Sequence, residues 1–203
     1  MRHVRRFLLA APFAVAACAD ASPTGIASRD LAPGRPNASI SDAVHNDGTA
    51  GFYFLAPLVA QPKFSGEFDG SQQVSIYVCS LGGSTTAAPA ESCTGGERVS
   101  PVEVNVNGQH YHANWQTDAA AFPAGSFYRI RVVDNASGGE WAYADVYLAG
   151  TGKEFKSIDQ GAYVPLLDGR TLPIKFRLER GAMPGAGTGG GDPGGDCPDC
   201  EIF

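Results

Sequence analysis

The sequence predicts an all-β fold, an antiparallel β-sandwich, from three observations. Glycine contributes 26 residues and proline 14, so turns must be frequent, while only 18% of the residues are charged. Short runs rich in valine, tyrosine, phenylalanine and threonine recur between those turns. No stretch has the sustained apolar period of a helix. β-branched and aromatic residues in short runs separated by turn residues are typical of strands in sandwiches and barrels.

The strand candidates lie between residues 49 and 180, which we take as the folded domain. They are 51–59, 73–81, 98–106, 109–117, 127–135, 141–149, 163–167 and 171–179. A β-sandwich takes roughly 100 residues plus loops, so this segment is long enough for one. The flanking segments 18–48 and 181–203 are rich in small and polar residues and have no apolar period. We therefore expect a flexible tether before the domain and a disordered tail after it.

A basic start followed by an apolar run predicts an export signal in residues 1–17. Arg2, Arg5 and Arg6 precede an apolar run of eleven residues, 7–17. A helix needs about 20 residues to cross a membrane, so this run is too short to span one and has the length of a signal-peptide core. We therefore expect the protein to be exported.

The end of the apolar run bears on how the protein is anchored. Val15-Ala16-Ala17-Cys18 resembles the lipobox of bacterial lipoproteins, in which small residues precede a cysteine that is acylated and becomes the new N-terminus. The resemblance implies lipidation of Cys18 and attachment to a membrane, either the outer membrane or the cell surface. The alternative is ordinary signal-peptide cleavage after a small residue near this position.

The dipeptide Asn107-Gly108 predicts a β-hairpin. Both residue types tolerate positive φ, which favours a two-residue turn of type I′. Closing the hairpin there pairs Val104 with Tyr111 and Val102 with Ala113 on one apolar face. A slip of one residue would mix apolar and polar side chains on both faces, so this register is favoured.

The polar face of the same hairpin carries a possible metal site. His110 and His112 alternate on one face about 7 Å apart along the strand, and the register puts Glu103 opposite His112. Two histidines and a glutamate can bind zinc or copper. A solvated outer face needs polar residues in any case, and we predict no metal and no cofactor.

A second hairpin is expected around the loop 136–140. In that register Ile130 lies opposite Val146 on the core face, and Arg131 lies opposite Asp145 on the other face. Opposite charges directly across two strands stabilise such a pair.

The outer face of this hairpin is a candidate ligand-binding surface. We expect Trp141, Tyr143 and Tyr147 to line it as a row of exposed rings, together with Arg129 and Arg131. Aromatic rings on a flat sheet suit the apolar faces of sugars. The alternative is that loops, or the polypeptide after residue 150, cover these rings.

The last strand candidates carry a more specific pattern. Tyr163-Val164-Pro165-Leu166 leads into residues 169–179, GRTLPIKFRLE. Together with the preceding strand pairs, this pattern resembles an Ig-like domain of secreted bacterial surface proteins over roughly residues 50 to 180. The resemblance implies an immunoglobulin-like antiparallel β-sandwich and carries no activity with it.

The five cysteines fit an oxidising compartment if Cys18 is lipidated, since four then remain. Cys79 and Cys93 flank a polar loop, and we predict a disulfide that fixes this loop to the sheet. Cys197 and Cys200 form a C-x-x-C in the tail. A redox motif needs a folded scaffold and zinc needs two more ligands, so a local disulfide or the remnant of a longer ancestral protein is favoured.

Composition and motifs narrow the function. The net charge of −6 argues against nucleic-acid binding, which needs a basic footprint. The sequence has none of the nucleophile-elbow, zinc-protease or phosphate-loop motifs. We therefore expect a non-catalytic, lipid-anchored cell-envelope protein that displays a structural or adhesive module. Its expected partners are the membrane, through the anchor, and a polysaccharide or another envelope protein. The alternative is a carbohydrate-binding surface lipoprotein that uses the aromatic sheet face.

Overall fold

Every strand candidate contains a strand in the computed structural model, which describes residues 40–117, 120–159 and 162–185. In this part the elements are β1 (Ile40–Ser41), β2 (Phe52–Phe54), β3 (Val74–Gly82), β4 (Glu97–Val99), β5 (Glu103–Asn105), β6 (His110–Gln116), β7 (Ser126–Asp134), β8 (Glu140–Ala149), α1 (Gly152–Ser157), β9 (Val164–Leu167) and β10 (Thr171–Leu178). The all-β class predicted from composition and pattern is therefore confirmed.

Two sheets form, and the antiparallel ladder dominates both. The larger has the order β1-β8-β7-β3-β4, with β9 also paired, in parallel, to β8. The smaller has the order β2-β10-β6-β5. The last strand of the domain therefore lies inside the smaller sheet, between β2 and β6, rather than at its edge.

The candidate 98–106 divides because the chain changes sheets in its middle. Glu97–Val99 pairs with β3 in the larger sheet, and Glu103–Asn105 pairs with β6 in the smaller one. The break falls at Ser100-Pro101, where proline has no N–H to donate to a ladder. This crossing ties one edge of each sheet to the other.

The two sheets bury a shared aromatic and aliphatic core. Its fully buried large side chains include Phe52, Phe54, Tyr111, Trp115 and Phe176. The rings of Tyr111 and Phe176 stack with centroids 5.1 Å apart, and Phe52 stacks on Phe176 from the other side at 5.2 Å. Because these rings come from β6, β10 and β2, they hold the inserted strand β10 between its two neighbours.

The register predicted for the first hairpin is confirmed, whereas its turn differs. Glu103 pairs with His112, Val104 with Tyr111 and Asn105 with His110. The connection has four residues, 106–109, and the positive φ, 54°, falls on Gln109 instead of the Asn-Gly pair. The Asn105 side chain accepts a hydrogen bond from the Gly108 N–H at 2.7 Å, which stabilises this longer turn.

The register predicted for the second hairpin is wrong by two residues. Ile130 pairs with Ala144 and Arg131 with Tyr143, and the register shifts between Val132 and Val133. A shift of two keeps the same side chains on each face, because the period of a strand is two. The exception is Trp141, the extra residue at the irregularity, which a bulge of this kind can turn to the opposite face.

The folded part begins earlier and ends later than composition suggested. The predicted tether, 18–48, includes β1 and the fully buried Asp42, whose side chain accepts hydrogen bonds from the backbone N–H groups of Val44, His45 and Phe54 at 3.0–3.1 Å. In the predicted tail, Ala182 packs against the core. The domain therefore includes at least residues 40–185 of the described ranges.

Within the described ranges, no helix is long and apolar enough to cross a membrane. The predicted signal peptide, 1–17, and the lipidation site Cys18 lie outside those ranges, as do Cys197 and Cys200.

Candidate functional site

A row of alternating arginines and tyrosines crosses the outer face of the larger sheet. Arg98 of β4 pairs with Tyr77 of β3, Tyr77 pairs with Arg131 of β7, and Arg131 pairs with Tyr143 of β8. Directly paired residues of a sheet project from the same face, so these four side chains stand side by side. We call Arg98, Tyr77, Arg131 and Tyr143 the Arg–Tyr row.

The row lies on the outside because its neighbours along each strand point into the core. Ile76 and Val132 flank Tyr77 and Arg131, and both are completely buried. Along each strand, apolar side chains thus alternate with members of the row. Arg98 is exposed, and the other three members are half-buried, so a ligand could reach the row from solvent.

A charged pair beside the row supports its fourth member. Arg129 and Asp145 pair directly across β7 and β8 and form two hydrogen bonds, of 2.6 and 2.8 Å. The Arg129 guanidinium also lies 3.9 Å from the centre of the Tyr143 ring, a cation–π distance. This contact occupies one face of the Tyr143 ring and fixes its position on the sheet.

Burial shapes the electrostatics of that pair. Burial raises the pKa of the Asp145 carboxyl group above its usual range, although the Arg129 guanidinium acts in the opposite direction. The pKa of Arg129 is raised as well: burial lowers it, and the hydrogen bond and charge of Asp145 outweigh that effect. The Arg129 guanidinium is therefore held by Asp145, and its contribution to the row is its contact with the Tyr143 ring.

The two arginines of the row keep donors for other partners. Arg131 bonds Glu140 through Nε, and Arg98 donates from Nη2 to the Ser75 hydroxyl at 3.0 Å. A guanidinium has five N–H donors, so these contacts use only part of each group. Glu140 is thus a carboxylate in contact with the row, and its side chain is 31% exposed.

The exposed row of Trp141, Tyr143 and Tyr147 that the sequence suggested does not exist. Trp141 is 2% exposed and belongs to the core, because the irregularity in β8 turns it inward. Tyr147 does project from the outer face, but it is 1% exposed. Of the three rings, only Tyr143 remains beside Arg129 and Arg131 on an accessible surface.

Tyr147 is covered by the polypeptide after residue 150, the alternative considered for it. Its ring packs on Phe127 with centroids 4.8 Å apart. Ile158, Phe155 and Cys93 join the same apolar cluster, so α1 and the loop after β3 close over this end of the sheet. At the other end, which carries the Arg–Tyr row, Arg98 is exposed and the other three members are half-buried.

The predicted disulfide lies at the edge of that covered region. Cys79 and Cys93 are bonded, with their Cα atoms 6.1 Å apart. Cys79 ends the same outer-face row as Arg129 and Asp145. The bond therefore fixes the loop after β3 to the sheet, next to the Arg–Tyr row.

The histidine pair on the smaller sheet does not assemble a metal centre. The Glu103 Oε2 atom lies 3.1 Å from His112 Nε2, and the rings of His110 and His112 are 5.9 Å apart. Over the described residues, no group of three or more His, Cys, Asp or Glu side chains is arranged to hold a metal ion. The three residues form a polar patch on an outer sheet face.

Comparisons with known proteins leave the site to be interpreted from its own geometry. No protein-family model matches the chain, no curated protein matches it, and no solved structure matches it.

Sequence reasoning missed Tyr77 and Arg98 as members of the site. Both lie on strands whose position beside β7 depends on a non-local pairing, Tyr77 with Arg131 across 54 residues of chain. The available signal was alternation: Tyr77 is the polar-tipped residue between the buried Ile76 and Val78. That pattern places Tyr77 on an outer face, but it does not show which side chains of other strands lie beside it.

Proposed function

We propose that the chain is a non-catalytic, lipid-anchored protein of the cell envelope that presents its sandwich as an adhesive module. The observation that carries this proposal is the Arg–Tyr row, an open, partly aromatic and charged surface on a rigid sheet. Side chains on paired strands hold a fixed spacing, which suits recognition of a ligand. An export signal and a lipidated Cys18 would put this surface outside the membrane.

The strand order supports an immunoglobulin-like origin for the module. The order β8-β7-β3-β4 joins two hairpins through a central β3–β7 pairing, as in the larger sheet of variable-type immunoglobulin domains. The hairpin β5–β6 occupies the place expected in the opposite sheet. The insertion of β10 between β2 and β6 departs from that pattern, so we propose an Ig-like sandwich with an added central strand.

The buried carboxylates support a structural rather than catalytic role. Asp42 accepts hydrogen bonds from three backbone N–H groups, Asp145 is bonded twice to Arg129, and Glu179 accepts from the Ser65 and Gly66 backbone. A general acid or base must be able to reach a substrate. These groups are instead used within the fold.

Lipidation gives the proposed anchor a direct test. The mature protein should partition into detergent and begin at an acylated Cys18, since two or three acyl chains hold far more firmly than one. Cys18→Ala should block processing or release the protein from the membrane fraction. Mass spectrometry of the mature N-terminus is the measurement, and an unmodified N-terminus at a neighbouring residue would overturn the anchor.

Carbohydrate binding is a second candidate function, favoured by Tyr77 and Tyr143. The two rings sit two strands apart, about 10 Å at the usual strand spacing, which is close to the length of a disaccharide. Stacking on sugar rings uses the apolar faces of such side chains. Compared with the aromatic face expected from the sequence, the Arg–Tyr row lacks Trp141 and Tyr147 and includes Tyr77.

A pull-down with polysaccharide extracted from the cell envelope tests this candidate. Tyr77→Ala and Tyr143→Ala should each weaken retention about three- to tenfold, the range for loss of one aromatic contact. Tyr53→Phe, on the outer face of the smaller sheet, is the control and should bind like wild type. Equal retention of all variants with an intact fold by circular dichroism would exclude the row as a sugar-binding surface.

A further inference from the structure

The order of side chains along the Arg–Tyr row points to a narrower class of ligand. We propose that the row binds an acidic polysaccharide in which a carboxylate-bearing sugar alternates with a neutral sugar. This inference rests on the carbohydrate-binding function proposed above. The juxtaposition that carries it is Arg98–Tyr77–Arg131–Tyr143, one side chain from each of four adjacent strands.

The spacing of the row matches such a chain. Adjacent strands lie about 4.8 Å apart, so arginines recur about every 10 Å and tyrosines do the same in between. A polysaccharide that runs across the strands would place one sugar over each side chain. Carboxylates would then meet Arg98 and Arg131, while neutral rings would lie on Tyr77 and Tyr143.

The guanidinium donors fit carboxylates in particular. Guanidinium groups form paired, charge-assisted hydrogen bonds with carboxylates, and these are stronger than bonds to neutral groups. Arg98 is exposed and has one described side-chain contact, to Ser75. The Ser75 contact uses one of its five N–H donors, so others are available to a ligand.

Glu140 binds Arg131 in the way that a carboxylate of the ligand would bind it. Its Oε2 atom accepts from Arg131 Nε, and both side chains are partly exposed, at 31% and 23%. Solvent reaches both groups, which weakens their attraction relative to that of a fully buried pair. An incoming carboxylate can therefore share or replace this contact.

The net charge of −6 does not prevent such binding. Interactions between exposed charges are screened beyond about 8 Å at physiological ionic strength. The acidic residues elsewhere on the surface act weakly at that range, whereas the arginines of the row would touch the ligand.

Hyaluronan and its carboxyl-reduced derivative form the test pair, because they share a backbone and differ only in the carboxylates of alternate sugars. Polygalacturonate, with a carboxylate on every sugar, completes the panel. Affinity electrophoresis of the mature protein should show binding to hyaluronan at least tenfold tighter than to the reduced polymer. The difference should shrink when salt is raised from about 0.15 M to 1 M, where the screening length falls to about 3 Å.

Three single-residue variants test whether side chains of the Arg–Tyr row are responsible for hyaluronan binding. Arg98→Ala should weaken hyaluronan binding about three- to tenfold, while Glu140→Gln, which removes the competing charge, should strengthen it about threefold. Arg180→Ala is the matched control, because Arg180 is 71% exposed and lies outside the row. It should leave binding unchanged.

The outcomes separate the ligand class from the function itself. Equal binding of hyaluronan and its reduced form, lost in Tyr77→Ala but kept in Arg98→Ala, would overturn the acidic class and leave carbohydrate binding standing. Failure of hyaluronan, polygalacturonate and neutral envelope polysaccharide alike would overturn both. Retention of an envelope protein that depends on Arg98 would also overturn both, because the row would then be a protein-docking surface.

Discussion

Replacing Glu179 with alanine should lower the free energy of unfolding by about 3–5 kcal/mol, the usual cost of breaking a buried charged network from one side. Glu179 follows β10 on the outer face of the smaller sheet and is only 7% exposed. Its Oε1 atom accepts hydrogen bonds from the backbone N–H groups of Ser65 and Gly66 at 3.0 and 2.7 Å. Alanine would leave both donors without that acceptor.

The same substitution would leave the buried Arg177 guanidinium without its acidic neighbour. This guanidinium, 3% exposed, donates to the Gly66 carbonyl at 2.9 Å and to Gln109 Oε1 at 2.7 Å. It also lies 4.6 Å from the centre of the Phe64 ring, within cation–π range. Its acidic neighbour is Glu179, whose Oε1 atom lies 3.9 Å from Arg177 Nε. Without Glu179, a buried positive charge would lose its counter-charge.

Glu67→Ala is the matched control for this prediction. Glu67 also pairs with an arginine, Arg180, at 3.6 Å, but the two side chains are 81% and 71% exposed. Exposed pairs contribute about 0–1 kcal/mol, so this variant should unfold close to wild type. Urea denaturation of both variants measures the difference. A loss below about 1 kcal/mol in Glu179→Ala would contradict the view that this network holds the segment 64–68 on the sheet.

The network gives a physical reason for the end of the pattern GRTLPIKFRLE. Leu172, Ile174, Phe176 and Leu178 alternate into the core, as the strand period requires. Arg177 and Glu179 point the other way and clamp a segment more than a hundred residues earlier in the chain. Strand alternation alone predicts an outer face for these two residues, where charged side chains are ordinary. Their burial depends on the returning loop, which no local pattern reveals.

Sequence reasoning succeeded where local chemistry decides the structure. The pairing of Val104 with Tyr111 follows from which side chains must share an apolar face, and it holds although the turn is longer than expected. The inclusion of β1 was missed because Ile40-Ser41 is too short to show a period. Its stability comes from pairing with Ala144 and Tyr143, across a hundred residues of chain.

The candidate site was predicted in part for the same reason. Arg129, Arg131 and Tyr143 lie on one hairpin, so strand alternation alone groups them. Trp141 was misassigned because one extra residue at a register shift reverses the side on which it projects. Tyr77 joined the row only once the sheet order was known, since pairing between β3 and β7 is non-local.

Loss of the disulfide between Cys79 and Cys93 should lower the free energy of unfolding by about 2–4 kcal/mol. The two cysteines are 14 positions apart in the sequence, and the bond closes the loop between them. A loop of that size is expected to contribute about 3 kcal/mol, chiefly because the crosslink restricts the unfolded chain. Residues 83–92 of the loop it closes are exposed or half-buried, so they bury little apolar surface.

The double variant Cys79→Ser, Cys93→Ser separates the bond from the loss of one buried thiol. It should unfold at lower urea concentration than the oxidised wild type and should not respond to a reductant. The wild type in reductant should approach the double variant. Peptide mapping of protein isolated without reductant should first show the two cysteines linked. Free thiols at both positions, or equal stability of the oxidised wild type and the double variant, would contradict a structural role.

Because the closed loop borders the covered end of the outer face, the double variant should also expose Tyr147, and faster hydrogen exchange in β8 would report it.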